Sequence, residues 1–234
     1  MKKFYKQSGF IQTVTGFLIQ LDGKTVYTPM RAELNAPNLA LAEEIKNEWD
    51  TQNQDILPDT MPITQMMMTI IDRIHPNREE FEKECLDYVD TDLLCYFSSK
   101  PENYASAQKK SWQPILDRLQ NLMKCEIKTT SDLNALSQPP ATKSKIRDYV
   151  LELDELKFSV LYLTTLTTGS LFLAITLIEN SATIQEIYNA ALIEDLTKDK
   201  IYLAEQYGIS PDQERRRKII KTELETSKKF LSLV

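Results

Sequence analysis

The chain of 234 residues contains only one histidine, three cysteines and five glycines, and these scarcities exclude several kinds of site. His75 alone cannot supply the histidine pair of a helical zinc site, and the spacing of the cysteines matches no zinc module. The glycines are too few and too scattered to form a phosphate-binding loop. The odd number of cysteines (Cys85, Cys95 and Cys125) is typical of a reducing compartment. We therefore expect no zinc site and no bound cofactor.

An excess of positive charge is also absent. The formal net charge is −6 and the isoelectric point is about 5.1, so we expect neither nucleic acid nor an anionic membrane surface as a partner. The N-terminal residues lead into no apolar run, which argues against a secretory signal. We expect a cytoplasmic bacterial protein, or a mitochondrial matrix protein if the sequence is the processed form of a eukaryotic one.

One stretch, residues 158–178, has no charged residue and is long enough to cross a membrane. Many serines and threonines interrupt it, however, and uniformly apolar helices also occur in the cores of larger soluble domains. We interpret the stretch as one buried central helix, or as two helices that break near Gly169, and we expect no membrane span.

Signals for β-structure are concentrated near the N-terminus. Asp22-Gly23 is a strong signal for a two-residue hairpin turn, and residues 10–14 predict a further strand. The turn predicts three opposite pairs: Leu21 with Lys24, Ile19 with Val26, and Phe17 with Thr28.

Helical patterns dominate the rest of the chain. The first helix carries Leu41, Ile45 and Trp49 on one stripe, with Pro37 in its first turn. We interpret Trp49 as a buried residue that forms a structural hinge with Pro58 and Pro62. The predicted fold class is α+β, with a small β-rich domain containing one helix at residues 1–60 and a mostly helical domain at residues 61–234.

A predicted helix that starts at Thr183, in a capping box with Glu186, carries an acidic pair. Asp195 and Asp199 lie one turn apart, and helical spacing puts them on the same face as Tyr188, Leu192 and Tyr202. This face is either a solvated rim or a docking surface for basic groups of a partner. The basic run Arg215-Arg216-Arg217-Lys218 predicts a solvated face with partners on its own helix, such as Asp212 and Glu214.

A second acidic group, Asp87, Asp90 and Asp92, allows an alternative function. Closely spaced carboxylates suit magnesium or calcium, so a metal-dependent enzyme is the rival hypothesis. The alternative interpretation is that Asp90 or Thr91 caps the next helix.

Several motifs are shared, in order and over nearly the whole chain, with one known family. They are Thr28-Pro29, Leu34, Pro37, Leu41-Ala42, Glu48-Trp49, Gln52, Ile56, Pro58, Met61-Pro62-Ile63-Thr64, Ile71-Asp72, Asp92-Leu93-Leu94-Cys95-Tyr96, Gln108, Trp112, Pro114, Gln138-Pro139, Thr168-Gly169-Ser170-Leu171, Leu173-Ala174 and Tyr207-Gly208. They resemble the assembly chaperones of the F1-ATPase α subunit, the "ATP-twelve" family.

The resemblance implies a chaperone that binds the free α subunit until it joins the β subunit, with no catalytic residues and no small-molecule substrate. It also implies a small β-rich domain followed by a larger helical one. The family carries an acidic pair and an aromatic residue ahead of a Trp-Gly motif, and this chain has Asp199-Lys200, Tyr202 and Tyr207-Gly208 there. Asp195, Asp199, Tyr202 and Tyr207 are therefore the predicted partner-binding residues.

Overall fold

The computed structural model describes residues 1–132, 134–201 and 208–234. In this part of the chain the strands lie near the N-terminus, and helices make up most of the remainder. The chain divides into two units, Met1–Arg78 together with Lys229–Val234, and Glu79–Lys228. The predicted α+β class, with a small N-terminal antiparallel sheet, is confirmed.

The sheet is built around its second strand. The strands are β1 (Ser8–Thr13), β2 (Gly16–Leu21), β3 (Lys24–Thr25) and β4 (Asn35–Ala36). β2 pairs antiparallel with β1 on one side and with β3 and β4 on the other. The predicted hairpin register is confirmed at the turn, because Leu21 lies opposite Lys24 and the Val26 N–H donates to the Ile19 carbonyl at 2.9 Å.

The predicted pairing of Phe17 with Thr28 is wrong, because Phe17 lies opposite Ala36 of β4. Thr28 instead belongs to a loop, in which its backbone N–H donates to the Ala32 carbonyl at 2.8 Å. Pro29 comes next and has no N–H to give to a ladder. The chain therefore leaves the sheet after β3, and β4 pairs with the first part of β2.

Helix α1 (Leu39–Asp50) buries the stripe that the sequence predicts, with Leu41, Ile45 and Trp49 all in the core. Asn38 caps it by accepting a hydrogen bond from the Leu41 N–H at 2.9 Å. Pro37 lies just before this cap, so the helix begins two residues after the proline.

Glu48 of α1 ties the next helix, α2 (Pro62–Thr69), to the first unit. Its carboxylate accepts hydrogen bonds from the N–H groups of Ile63 and Thr64 at 2.8 and 2.7 Å, which satisfies two of the free donors at the start of α2. The first unit extends to Arg78, and the predicted division of the chain into domains at residues 1–60 and 61–234 stays a prediction.

The second unit is helical. Its helices are α3 (Arg78–Thr91), α4 (Glu102–Met123), α5 (Pro140–Glu152), α6 (Glu155–Thr168), α7 (Leu171–Ile178), α8 (Ile184–Ala191), α9 (Ile193–Ile201) and α10 (Pro211–Leu231), of which α3 starts and α10 ends in residues of the first unit. The capping box of Thr183 and Glu186 is present at the start of α8.

The apolar stretch at residues 158–178 forms two helices, α6 and α7, and the break predicted near Gly169 is confirmed. Gly169 has a φ of 72°, in the left-handed region that favours glycine. Among the helices of the described residues, none is both long enough and apolar enough to span a membrane.

The single helix predicted from Thr183 onward is wrong, because Leu192 (φ −111°, ψ 16°) separates α8 from α9. At the break, a distant helix supplies a partner for a backbone carbonyl. The Trp112 indole N–H donates to the Ala190 carbonyl at 2.9 Å, and an unbroken helix would give that carbonyl to the N–H of Glu194.

Candidate partner-binding site

The predicted acidic pair lies on α9, where Asp195 and Asp199 each form an ion pair with the last helix. Asp195 Oδ2 is 3.2 Å from Arg216 Nη1, and Asp199 Oδ2 is 2.7 Å from Arg217 Nη1. The prediction that these arginines pair along their own helix is therefore wrong. The sequence shows the basic run, but spacing along one helix could not identify its partners, because the pairing depends on how α9 packs against α10.

The two pairs differ in exposure. Asp199 and Arg217 are both mostly buried, with side-chain exposures of 22% and 14%, and the Asp199 carboxylate raises the pKa of the Arg217 guanidinium. In the other pair Asp195 is 13% exposed but Arg216 is 59% exposed. Asp199 is thus occupied in an internal contact, and the Asp195 pair lies closer to solvent.

The other predicted members of this face have different positions. Tyr188 lies on α8 and the buried Leu192 is the break residue, so the continuous helical face predicted from residue 188 to residue 202 does not exist. Tyr202 and Tyr207 lie outside the described residues. A partner-binding role for the four predicted residues stays a prediction.

A cleft of about 360 Å³ opens beside Asp195, within the second unit. Residues of α4, of the α6–α7 corner, of the α8–α9 break and of α10 contribute to it. Its lining residues are Leu93, Tyr104, Trp112, Leu166, Thr167, Thr168, Gly169, Ala191, Leu192, Ile193, Glu194, Asp195 and Arg216. The sequence predicted Asp195 as a binding residue, with Leu192 on the same face. It did not predict the rest of the cleft, because the lining residues of α4, of the α6–α7 corner and of α10 come from segments far apart in the chain.

Asp92 holds the corner between α6 and α7 next to this cleft. It is fully buried, and its carboxylate accepts hydrogen bonds from the Leu94 N–H at 3.0 Å, the Ser170 hydroxyl at 2.7 Å and the Phe172 N–H at 3.0 Å. Burial raises the pKa of Asp92 to about 6, although these donors act in the opposite direction. Asp92 therefore satisfies one free N–H donor at the start of α7, whose cap is Ser170, and the network joins two of the motifs on which the family resemblance depends.

The rival metal site is contradicted by the positions of its carboxylates. Asp87 is exposed, Asp90 accepts the Gln138 N–H at 2.9 Å and pairs with Lys143 Nζ at 2.5 Å, and Asp92 is occupied by its contacts at the α6–α7 corner. Nowhere in the described residues do three histidine, cysteine, aspartate or glutamate side chains come close enough to hold a metal ion. The predicted cap at Asp90 or Thr91 is wrong, because Asp92 caps the 3₁₀ turn that follows, Leu93–Cys95, by accepting the Leu94 N–H.

The predicted hinge residues all lie within the first unit. Trp49 is 7% exposed and packs edge-on against the Tyr5 ring at a centroid distance of 5.6 Å. The Tyr5 hydroxyl donates to the Trp49 carbonyl at 2.6 Å. Pro58 begins a short 3₁₀ turn and Pro62 begins α2. Trp49 is thus a core residue, and the hinge role of the three stays a prediction.

Comparison with known proteins gives a consistent result. The family model "ATP12 chaperone protein" matches residues 2–120. The mitochondrial protein ATP12 of Saccharomyces cerevisiae is 24% identical over 229 residues, which cover 81% of this chain and 70% of the yeast protein.

Two solved structures are similar over almost the whole chain. Atp12 from Paracoccus denitrificans superposes with a TM-score of 0.88 and 25% identity, covering 99% of this chain and 97% of that one. The Atu1473 protein of Agrobacterium tumefaciens has a TM-score of 0.87 and 28% identity, covering 99% and 85%.

Proposed function

The chain belongs to the ATP12 chaperone family, and we propose that it binds the free α subunit of the F1 head of ATP synthase and holds it until it joins the β subunit. The observation that carries this proposal is the family match, which covers half of the chain. The similarity to Paracoccus Atp12 over 99% of the chain supports it. The ordered motifs, from Thr28-Pro29 to Tyr207-Gly208, resemble those of the α-subunit assembly chaperones, and this resemblance is the reason for proposing α as the client.

The exposed surface of the free α subunit explains why a protein that only binds can protect it from aggregation. A free α subunit exposes the apolar surface that normally contacts β, and exposed patches of this kind aggregate. A protein that covers such a surface reversibly needs apolar and polar contact groups but no reacting groups. We propose accordingly that the chain is not an enzyme and that it acts in the bacterial cytoplasm, where α is assembled.

Asp195 and the cleft beside it support a binding role better than Asp199 does. Asp195 belongs to the cleft lining and its partner Arg216 is largely exposed, so an incoming group can reach this ion pair. Asp199 is held by the mostly buried Arg217. We propose Asp195 as a contact residue, and we propose that Asp199 contributes by positioning α9 against α10.

Co-expression tests the proposal. The α subunit from the same organism is produced with and without this chain, and its soluble fraction and its co-purification with a tagged form of the chain are measured. We expect the chain to raise the soluble fraction of α and to co-purify with it. An equal soluble fraction in both cultures, with no co-purification, would contradict the proposal.

A further inference from the structure

The cleft beside Asp195 has the properties of a side-chain binding site. Its volume of about 360 Å³ lies within the range of small ligand sites. Its lining is mixed: leucine, isoleucine, alanine and tryptophan side chains lie beside threonine, tyrosine and charged ones. One of them, Leu166 near the end of α6, is 42% exposed, so apolar surface remains accessible to an incoming group.

The two carboxylates at the cleft are each paired with a cation, Glu194 with Lys198 and Asp195 with Arg216. The charged lining residues of the cleft are Glu194, Asp195 and Arg216, two carboxylates against one guanidinium. Burial raises the pKa of the Tyr104 hydroxyl, and the negative charges of Glu194 and Asp195 raise it further, whereas Lys198 lowers it. The cleft wall at Tyr104 therefore lies near both carboxylates and near Lys198.

The Glu194 carboxylate is available to a new partner. It pairs with Lys198 at 2.6 Å, but the two side chains are 60% and 51% exposed. Exposed ion pairs one helical turn apart are weak, so a cation brought in by a bound protein can replace Lys198 at little cost.

We propose that this cleft binds an apolar side chain of the client that is flanked by a lysine or an arginine. The apolar group contacts Leu166, and the cation pairs with Glu194 and Asp195. This inference rests on the proposed function, since it assumes a protein client, but it is tested without the α subunit.

The test uses fluorescein-labelled peptides and the full chain. One peptide has a leucine next to an arginine, a second has the arginine replaced by glutamate, and a third has the leucine replaced by serine. Fluorescence anisotropy gives the Kd of each. We expect the leucine–arginine peptide to bind about two- to fivefold more tightly than the glutamate peptide, as one exposed ion pair allows, and about tenfold more tightly than the serine peptide, as burial of one leucine allows.

Two variants assign this selectivity to the cleft, and each has a matched control elsewhere. Leu166→Ser is compared with Leu151→Ser, because Leu151 on α5 is 41% exposed. Glu194→Gln is compared with Glu225→Gln, because Glu225 also pairs with a lysine one turn away, Lys221 at 4.0 Å. We expect Leu166→Ser to weaken binding about tenfold and Glu194→Gln to abolish the preference for arginine, with little change in either control.

Equal binding of the three peptides, no binding of any, or equal effects of each variant and its control would overturn the proposal. The α subunit gives an independent result. If α binds the wild-type chain and Leu166→Ser binds it equally well, the cleft assignment fails and the proposed function stands. If the peptides show the expected selectivity but α does not bind, the proposed function fails and the cleft assignment stands.

Discussion

Replacement of Asp92 by asparagine is a direct test of the buried network at the α6–α7 corner. Two effects on the carboxylate compete. Burial disfavours its charged form, and hydrogen bonds from Leu94, Ser170 and Phe172 favour it. The structure indicates that burial is the larger effect, because the pKa of Asp92 is raised from 3.8 to about 6.

The raised pKa of Asp92 determines the sign and the size of the change in unfolding free energy with pH. The folded state holds the proton more tightly than the unfolded state does, so protonation of Asp92 stabilises the fold. This stabilisation is complete below pH 3.8 and is lost as the pH rises through about 6. At 1.36 kcal/mol per pKa unit, we expect the wild-type chain to lose about 2–3 kcal/mol of unfolding free energy relative to Asp92→Asn between pH 4 and pH 7.

Urea unfolding of both proteins across this pH range measures the difference. Other carboxyl groups with raised pKa values, such as Glu48 and Glu223, titrate in both proteins and so cancel. An unfolding free-energy difference that is constant with pH would show that the three donors offset burial completely. A difference that changes in the opposite direction would show that the donors outweigh burial.

Two further predictions concern named side chains. Trp49→Ala removes the ring that packs on Tyr5, so we expect a loss of about 3–5 kcal/mol in urea unfolding; an unchanged stability with abolished α binding would instead make Trp49 a contact residue. Asp199→Lys leaves Arg217 beside a second cation, so we expect a loss of about 1–3 kcal/mol in the free energy of unfolding. The control is Asp212→Lys, at an exposed position of α10. Equal stability of the two variants would show that the Asp199 pair is not structural.

The parts of the fold that depend on local signals could be predicted from the sequence. The turn at Asp22-Gly23 sets the register of its hairpin, because a two-residue loop leaves one pairing of the flanking strands. Gly169 marks the division of α6 from α7, because it takes the left-handed conformation that ends a helix.

The parts that depend on distant contacts could not be predicted. Neither glycine nor proline marks the break at Leu192. The carbonyl of Ala190, just before the break, instead accepts a hydrogen bond from Trp112, 78 residues away in the sequence. In the same way, the spacing of Asp195 and Asp199 predicted that they lie on one helical face. Their pairing with Arg216 and Arg217, however, depends on the packing of α9 against α10.

The candidate site shows the same limit. Its acidic member, Asp195, belongs to a recognisable helical spacing, whereas Leu166 reads in the sequence as one more apolar residue of a buried stretch. The cleft that it lines is formed by five separate segments, an arrangement that no local pattern encodes. Only the tertiary structure shows that these segments enclose a cleft.

The binding of α in the presence and absence of β tests the central claim most directly. Purified chain is mixed at micromolar concentration with the α subunit, with the β subunit, or with both, and the complexes are separated by size-exclusion chromatography. We predict that the chain elutes with α but not with β, and that β displaces it from α. Elution of the chain apart from α, or equal association with α and β, would contradict the proposed function.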